Sequence, residues 1–183
     1  MNGEIEAQLR SLEDRQAIAA LLNGYSYGID LRDWSLYRSI FADSIAADFA
    51  WSGVNQSFDA DEWVALVCST LAPFDATQHS MTNIDIDLNG DEATLRCQMS
   101  ARHVLVLDGA EHHHMIGGHY VHDVVRTGTG WKIRRLCLTI TWEQGDVGLF
   151  ERAAALGPRP RASIGEQGMV LPPEIPSRPT QEQ

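Results

Sequence analysis

The chain has 183 residues, a length typical of one domain and too short for two independent enzyme domains. Its hydrophobic content of 44% supplies enough apolar material for a core and excludes a chain that is disordered throughout. The net charge of −11 repels phosphate backbones and anionic membranes, which disfavours nucleic acid and lipid headgroups as partners.

The cysteines and the first residues indicate the compartment. Cys68, Cys97 and Cys137 are an odd set without C-x-x-C spacing, and their apolar sequence neighbours are typical of buried free thiols. The chain begins with acidic residues where a signal peptide has Lys or Arg followed by an apolar stretch. No stretch of the sequence approaches the length of about 18 consecutive apolar residues that a membrane-spanning helix needs. We therefore expect a cytoplasmic protein without a membrane anchor.

Two helices are predicted at the start of the chain. Large apolar residues three or four positions apart indicate one amphipathic helix over residues 5–25. Gly24 and Gly28 are expected to loosen its end. Asp33 is suitably placed to cap a second helix, in which apolar residues again repeat every three or four positions.

A short strand and a third helix are predicted next. Residues 46–51 favour a strand and residues 52–56 a turn. Asp59 or Asp61 can cap the third helix, and Pro73 marks its end.

After Pro73, alternating runs separated by glycine-containing turns predict four antiparallel strands. They cover residues 78–88, 92–107, 113–126 and 131–143. Strands of this length predict a strongly curled, mostly antiparallel sheet with a concave face. With three N-terminal helices packed on that face, the expected fold is α+β and encloses a pocket.

The last predicted strand separates an apolar face from a semi-polar one. Leu136, Leu138, Ile140 and Trp142 share one face by simple alternation and are expected to form the pocket wall. The opposite face carries small, semi-polar residues such as Cys137, Thr139 and Thr141. Such a face is typically covered by another subunit, so we expect a homo-oligomer, either a trimer or a dimer.

The domain is expected to span residues 1–156. Residues 157–183 contain six of the seven prolines, which excludes a persistent helix or ladder strand and predicts a separate C-terminal tail. That tail is either a strap or disordered.

Four short segments resemble the SnoaL-like branch of the NTF2-like superfamily. They are Tyr25-Ser-Tyr-Gly-Ile-Asp30, Gln78-His79-Ser-Met-Thr-Asn83, Ile116-Gly-Gly-His-Tyr120 and Gly130-Trp-Lys-Ile133. This branch includes scytalone dehydratase, hexachlorocyclohexane dehydrochlorinase and bile-acid 7α-dehydratase. The resemblance covers about residues 5–150 and implies a cone-shaped fold. It also implies a catalytic dyad at the positions of Asp30 and His79, with Tyr25 beside the leaving group.

The residue types suit an elimination. A neutral imidazole such as His79 can act as a base near working pH, and a carboxylate such as Asp30 can fix its tautomer. A phenol such as Tyr25 can donate a hydrogen bond to a developing oxyanion while staying neutral. Each residue also has a structural reading: a helix cap for Asp30, a satisfied strand-edge histidine for His79 and a core side chain for Tyr25.

Further residues are candidates for contact with a substrate. Met99 and His103 share a predicted pocket face, and the resemblance implies that Tyr120 faces the pocket too. Trp51 is a candidate wall residue. Several relatives have an arginine at the position of Leu136 in this chain. Arg134 lies two residues earlier on the same predicted face. It either replaces that cation at the pocket or is a solvated charge at the end of the strand.

No cofactor is expected. The cluster His112-His113-His114 alternates across a strand, and no acid or cysteine completes a metal-ligand set, so we expect no metal site. No glycine-rich phosphate-binding loop is present in the sequence.

These observations predict a cofactor-independent lyase of dehydratase type, or an isomerase. Its substrate would be a hydrophobic, cyclic, oxygenated small molecule. The alternatives are a non-catalytic pocket protein that binds an apolar ligand, an activity like that of polyketide cyclases, and a subunit whose sheet serves only assembly.

Overall fold

The computed structural model describes residues 2–159, without the side chains of Asn2 and Trp51. Within this range, four α-helices and a six-stranded sheet confirm the α+β class. The elements are α1 (Asn2–Asp30), α2 (Trp34–Ser39), β1 (Phe41–Phe49), β2 (Val54–Asp59), α3 (Ala60–Leu71), β3 (Ala76–Asn89), β4 (Glu92–Leu107), β5 (Ala110–Thr127), β6 (Gly130–Gly145) and α4 (Leu149–Leu156).

The sheet is open, with strand order β2-β1-β6-β5-β4-β3. The β1–β6 pair is parallel and the other four pairs are antiparallel. The predicted strong curl was wrong. Long strands impose a twist, but a twist alone does not curl a sheet strongly or close it, and here β2 and β3 remain as its two edges.

Helix α1 continues through both of its late glycines to Asp30, five residues beyond the predicted end. A Cβ atom at Gly28 would lie only 2.8 Å from the Cα atom of Tyr37 in α2. Gly28 therefore allows α1 and α2 to pack closely and does not end the helix. This close approach brings Tyr37 against Tyr25, with ring centroids 5.3 Å apart.

The aspartate caps agree with the sequence analysis. The Leu36 N–H donates to Asp33 Oδ1 at 2.9 Å at the start of α2. Likewise, Asp59 caps α3 by accepting from the Asp61 N–H at 2.8 Å. Asp30 does not cap a helix, because it is the last residue of α1 and its carboxylate contacts the sheet.

Between α2 and α3 the structure has two strands, where one strand and a turn were predicted. The connection is a short 3-10 helix, Ala50–Ser52, that ends at Gly53 with φ of 78°. The predicted turn over residues 52–56 was therefore too long. β2 is a largely exposed edge strand, so apolar alternation is weak in its sequence.

The core lies between the helices and the inner face of the sheet, defined here as the face that carries Tyr120. Ile18, Leu22 and Ile29 of α1 are buried in it. In contrast, Ile5, Leu9 and Leu12 are exposed, so these large side chains of the first turns of α1 are not buried against the rest of residues 2–159. Of the three free cysteines only Cys97 is buried; Cys68 and Cys137 are half-buried, contrary to expectation.

At the C-terminal end of the described chain, the Arg159 N–H donates to the Ala72 carbonyl at 3.4 Å. The predicted tail over residues 157–183 lies outside the described residues from position 160 onwards. Among the described helices, none combines the length and apolar character that crossing a membrane would require.

Candidate active site

The end of α1 and the start of β3 bring Asp30 and His79 into direct contact. Asp30 Oδ1 lies 2.7 Å from His79 Nδ1. Both side chains are largely shielded, with 17% of the Asp30 side chain and 6% of the His79 side chain exposed. A carboxylate that accepts from Nδ1–H leaves the other ring nitrogen, Nε2, as an unprotonated acceptor.

Two more donors hold the Asp30 carboxylate. The His79 backbone N–H donates to Oδ2 at 2.7 Å, and the Thr77 hydroxyl donates to Oδ1 at 2.9 Å. The carboxylate therefore has one fixed orientation towards the imidazole. Sequence reasoning missed Thr77, although the two-residue period of a strand places it on the same face as His79.

Tyr25 lies beside the dyad in a cluster of buried aromatic rings. Its ring centroid is 6.1 Å from that of His79, and its hydroxyl is 2.7 Å from the hydroxyl of Tyr120. Burial raises the pKa of Tyr25 to about 12, although hydrogen bonds from Tyr120 and Tyr37 oppose the shift. The phenol therefore stays protonated at neutral pH.

A cavity of about 370 Å³ opens beside these residues. Most of its lining is apolar or aromatic, and among the described residues no Lys, Arg, Asp or Glu lines it. The lining residues are Tyr25, Ile29, Phe49, Ser52, Val54, Trp63, Leu66, Val67, Thr70, Leu71, His79, Met99, His103, Ile116, Tyr120, Leu138 and Phe150. The volume lies within the range of small-molecule sites.

His103 is a second histidine on the cavity wall. Its ring centroid lies 5.8 Å from that of His79 and 4.7 Å from that of Phe150. Burial lowers the pKa of His103 to about 3, and the neighbouring His79 adds to the shift. His103 is therefore neutral at working pH, and its Nδ1 has no hydrogen-bond partner among the described residues.

Of the predicted wall residues, Met99, His103, Tyr120 and Leu138 line the cavity, whereas Leu136 and Ile140 do not. Leu136 is fully buried in the core. Ile140 packs against the core from a half-buried position. The side chain of the remaining aromatic candidate, Trp51, lies outside the described part of the structure.

Two β-bulges in β6 displace the other predicted contacts. Arg134 is the extra residue between the pairs Val124↔Ile133 and Asp123↔Arg135, and its guanidinium contacts Glu92 at 2.7 Å on the surface. The expectation that it reaches the cavity was wrong, and the solvated strand-end charge was the correct alternative.

The second bulge turns Trp142 away from the cavity. Thr141 is the extra residue between the pairs Gly118↔Ile140 and Gly117↔Trp142. Since Gly117 pairs with Ser100 on the outer face of the sheet, Trp142 lies on that face too, with 46% of its surface exposed. The prediction of Trp142 as a wall residue assumed unbroken alternation and was wrong.

Sequence reasoning also missed much of the wall opposite the sheet. Trp63, Leu66, Val67 and Thr70 come from one face of α3, as their spacing of three to four residues allows. Phe150 comes from α4, a helix that the sequence analysis did not predict. No group of three or more metal-ligating side chains occurs within residues 2–159.

The fold and the site together define a pocket protein that carries a carboxylate-bound histidine on its cavity wall. The profile of the family described as SnoaL-like domain matches residues 10–137. The chain therefore belongs to the SnoaL-like family. No match to a curated protein was found.

Solved structures with the same fold include three that cover about three quarters of this chain. A protein from Kribbella flavida is 24% identical, with TM-score 0.71, over 78% of this chain and 99% of its own. A putative scytalone dehydratase from Novosphingobium aromaticivorans is 22% identical, with TM-score 0.63, over 74% and 89%. A hexachlorocyclohexane dehydrochlorinase from Novosphingobium barchaimii is 20% identical, with TM-score 0.63, over 77% and 95%.

Proposed function

We propose that this protein is a cofactor-independent lyase of dehydratase type, or an isomerase, that acts on a hydrophobic, cyclic, oxygenated small molecule. The observation that carries the proposal is the 2.7 Å contact between Asp30 Oδ1 and His79 Nδ1 beside a largely apolar cavity. Two solved structures with this fold are named as a putative scytalone dehydratase and a hexachlorocyclohexane dehydrochlorinase. Both names describe enzymes that catalyse eliminations.

In this mechanism His79 Nε2 removes a proton from a substrate carbon. Asp30 stabilises the imidazolium that forms, because it already accepts the Nδ1 proton. In a dehydration, the C–H electron pair becomes the new C=C bond and the C–O bond breaks. The departing hydroxyl takes the proton from Nε2 and leaves as water. In an isomerisation, the same proton returns to another carbon. Either route restores neutral His79.

Tyr25 donates a hydrogen bond to the oxygen that gains negative charge. Because its pKa is raised to about 12, it supplies a hydrogen bond without losing its proton. His103, neutral for the reason given above, can bind a second substrate oxygen. The apolar lining supports an uncharged substrate, since a carboxylate or phosphate would be desolvated without a cationic partner.

Proton abstraction can be tested before the overall reaction is known. Neutral cyclic hydroxyketones are incubated with the protein in D2O, and NMR follows exchange of the carbon-bound hydrogens beside the carbonyl. We expect exchange with the natural chain and a loss of about 10²-fold or more in His79→Ala. The control His113→Ala removes an exposed histidine of β5 that does not line the cavity, and it should leave the rate unchanged.

An exchange rate for His79→Ala within a few-fold of the natural chain would contradict the base assignment.

The second candidate function is that of a non-catalytic pocket protein. It is favoured by the cavity wall, which has no cation among the described residues to assist a leaving group. Ketones that bind in the cavity and show no exchange would support that candidate over the enzyme.

We also propose that the protein forms a homo-oligomer through the outer face of the sheet. A depression there is lined by polar side chains of β3, β4, β5 and β6 and by the exposed indole of Trp142. Light scattering of the natural chain should give a trimer or dimer mass, and Trp142→Glu should lower it. Val147→Glu, at an exposed site before α4, is the control. A monomeric natural chain would contradict this proposal.

A further inference from the structure

Thr77 makes a direct contact with the Asp30–His79 pair that the mechanism above does not use. Its hydroxyl lies 2.9 Å from Asp30 Oδ1, the same oxygen that accepts from His79 Nδ1 at 2.7 Å. An ionised carboxylate can only accept, so the hydroxyl of Thr77 is the donor. The Oδ1 atom therefore binds two donors, from two side chains that share one face of β3.

The three donors to Asp30 differ in how firmly they are held. The Nδ1–H donor belongs to the His79 ring, which can turn about its own side-chain bonds. The other two are held by strand β3, whose residues 76–82 pair with β4 without interruption. Because β3 is an edge strand, every second N–H points away from β4, and the His79 N–H uses this direction to reach Asp30 Oδ2 at 2.7 Å.

The strand therefore holds both oxygens of the Asp30 carboxylate, whatever the position of the imidazole. Thr77 binds Oδ1 and the His79 N–H binds Oδ2. Without the Thr77 hydroxyl, only the contact at Oδ2 would remain, and the carboxylate could pivot about it. The Asp30 side chain is 17% exposed, so water could then compete for Oδ1. Both changes would weaken the hold of Asp30 on the Nδ1–H group.

Thr77 acts on Asp30 and not on the substrate, since it does not line the cavity. The titratable side chains in contact with His79 are Asp30 and Tyr25 on α1 and His103 on β4. Among the described residues, those of α3 and α4 that line the cavity carry no charge. The carboxylate of Asp30 is thus the charged group on which the orientation of the imidazole depends.

We propose that Thr77 is a positioning residue that locks the Asp30 carboxylate onto β3, so that Asp30 supports His79 throughout the proton transfer. This inference rests on the function proposed above and adds a residue to the same site. When His79 Nε2 takes the substrate proton, positive charge builds up on the ring. A locked carboxylate stabilises that charge without first having to reorient. Thr77 keeps its own proton in every step.

The first test needs no substrate. NMR at neutral pH measures how fast the Nδ1–H proton of His79 exchanges with water. In Thr77→Val, which has nearly the same shape but no hydroxyl, we expect this exchange to be about 3- to 10-fold faster, the equivalent of one lost hydrogen bond. Thr77→Ser restores the hydroxyl and should behave like the natural chain. The control Thr94→Val makes the same change beside the buried Ala93 and Leu95, on the outer face of β4, and should have no effect.

The second test uses the ketone exchange experiment described above. In Thr77→Val the rate at saturating ketone should fall about 3- to 10-fold, and Thr77→Ser should recover it. The half-saturating ketone concentration should change less than about two-fold, because Thr77 does not line the cavity. A general loss of structure would weaken ketone binding as well, so this split identifies a positioning role.

The outcomes separate the two proposals. If the natural chain exchanges ketone hydrogens and Thr77→Val matches it in both tests, the positioning role is refuted and the proposed function survives. A faster ketone exchange in Thr77→Val would also refute the positioning role. If no ketone exchanges, the proposed function fails, and the exchange of the Nδ1–H proton alone decides the role of Thr77. If Thr77→Val does not fold, Thr77→Ala is compared with Thr77→Ser by the same criteria.

Discussion

The buried side chain of His122 should make the stability of the protein depend on pH. Its ring is completely buried and stacks on Tyr120, with centroids 4.8 Å apart. Neither ring nitrogen has a well-formed hydrogen bond among the described residues. Burial outweighs a contact with the Arg135 backbone and lowers the pKa of His122 from 6.5 to about 3. The folded protein therefore keeps this imidazole neutral far into the acidic range.

Acid should unfold the protein more easily for this reason. A depressed histidine pKa means that the unfolded chain binds a proton between pH 6.5 and about 3 while the folded chain does not. Stability from this group is complete above the higher value and declines as the pH falls. Lowering the pH from about 7.5 to about 5 should cost about 2 kcal/mol through His122 alone.

The assay is denaturant unfolding at both pH values, followed by tryptophan fluorescence, for the natural chain and His122→Phe. The variant should lose about 2 kcal/mol less than the natural chain on acidification. The effect of the substitution on packing is the same at both pH values, so it cancels when the pH-dependent changes in unfolding free energy are compared. His103, with its pKa of about 3, contributes a similar loss to both proteins. Equal losses in the two proteins would refute the reasoning.

Two substitutions test the packing that positions the site. Gly28→Ala should destabilise the fold by about 1–3 kcal/mol in denaturant unfolding, because its Cβ would overlap the Tyr37 backbone at 2.8 Å, whereas Gly3→Ala meets nothing within 4 Å and should not destabilise it. Equal effects of the two substitutions would contradict the close α1–α2 contact. Leu136→Arg should lower the free energy of unfolding by at least about 3 kcal/mol, because it buries an unpaired charge. Leu12→Arg, at an exposed position, should lower it by about 0.5 kcal/mol. A folded, stable Leu136→Arg protein would show that this position can reach the cavity.

The sequence predicted the elements with strong local signals. Aspartate caps, glycine turns and long alternating runs identified the helix starts and the four long strands, and their ends differ by a few residues only. The contact between Asp30 and His79 could be anticipated from the family resemblance alone. Nothing local in the sequence places two residues 49 positions apart within hydrogen-bonding distance.

The sequence-based reading failed where the backbone departs from regular alternation. The bulges at Arg134 and Thr141 each insert one residue into β6, and one extra residue moves a side chain to the other face of a sheet. This reversed the prediction for Trp142. Other misses have a different cause: Phe150 and the α3 side chains reach the cavity through tertiary packing, for which helical periodicity shows only a buried face.

The most direct test of the central claim is the tautomer of His79. Long-range ¹H–¹⁵N NMR of the natural chain at neutral pH reports which ring nitrogen carries the proton. If Asp30 holds the imidazole at 2.7 Å as a base, the proton is on Nδ1, Nε2 is unprotonated, and the downfield Nδ1–H signal is lost in Asp30→Ala. A proton on Nε2 in the natural chain, or a spectrum unchanged in Asp30→Ala, would contradict the dyad.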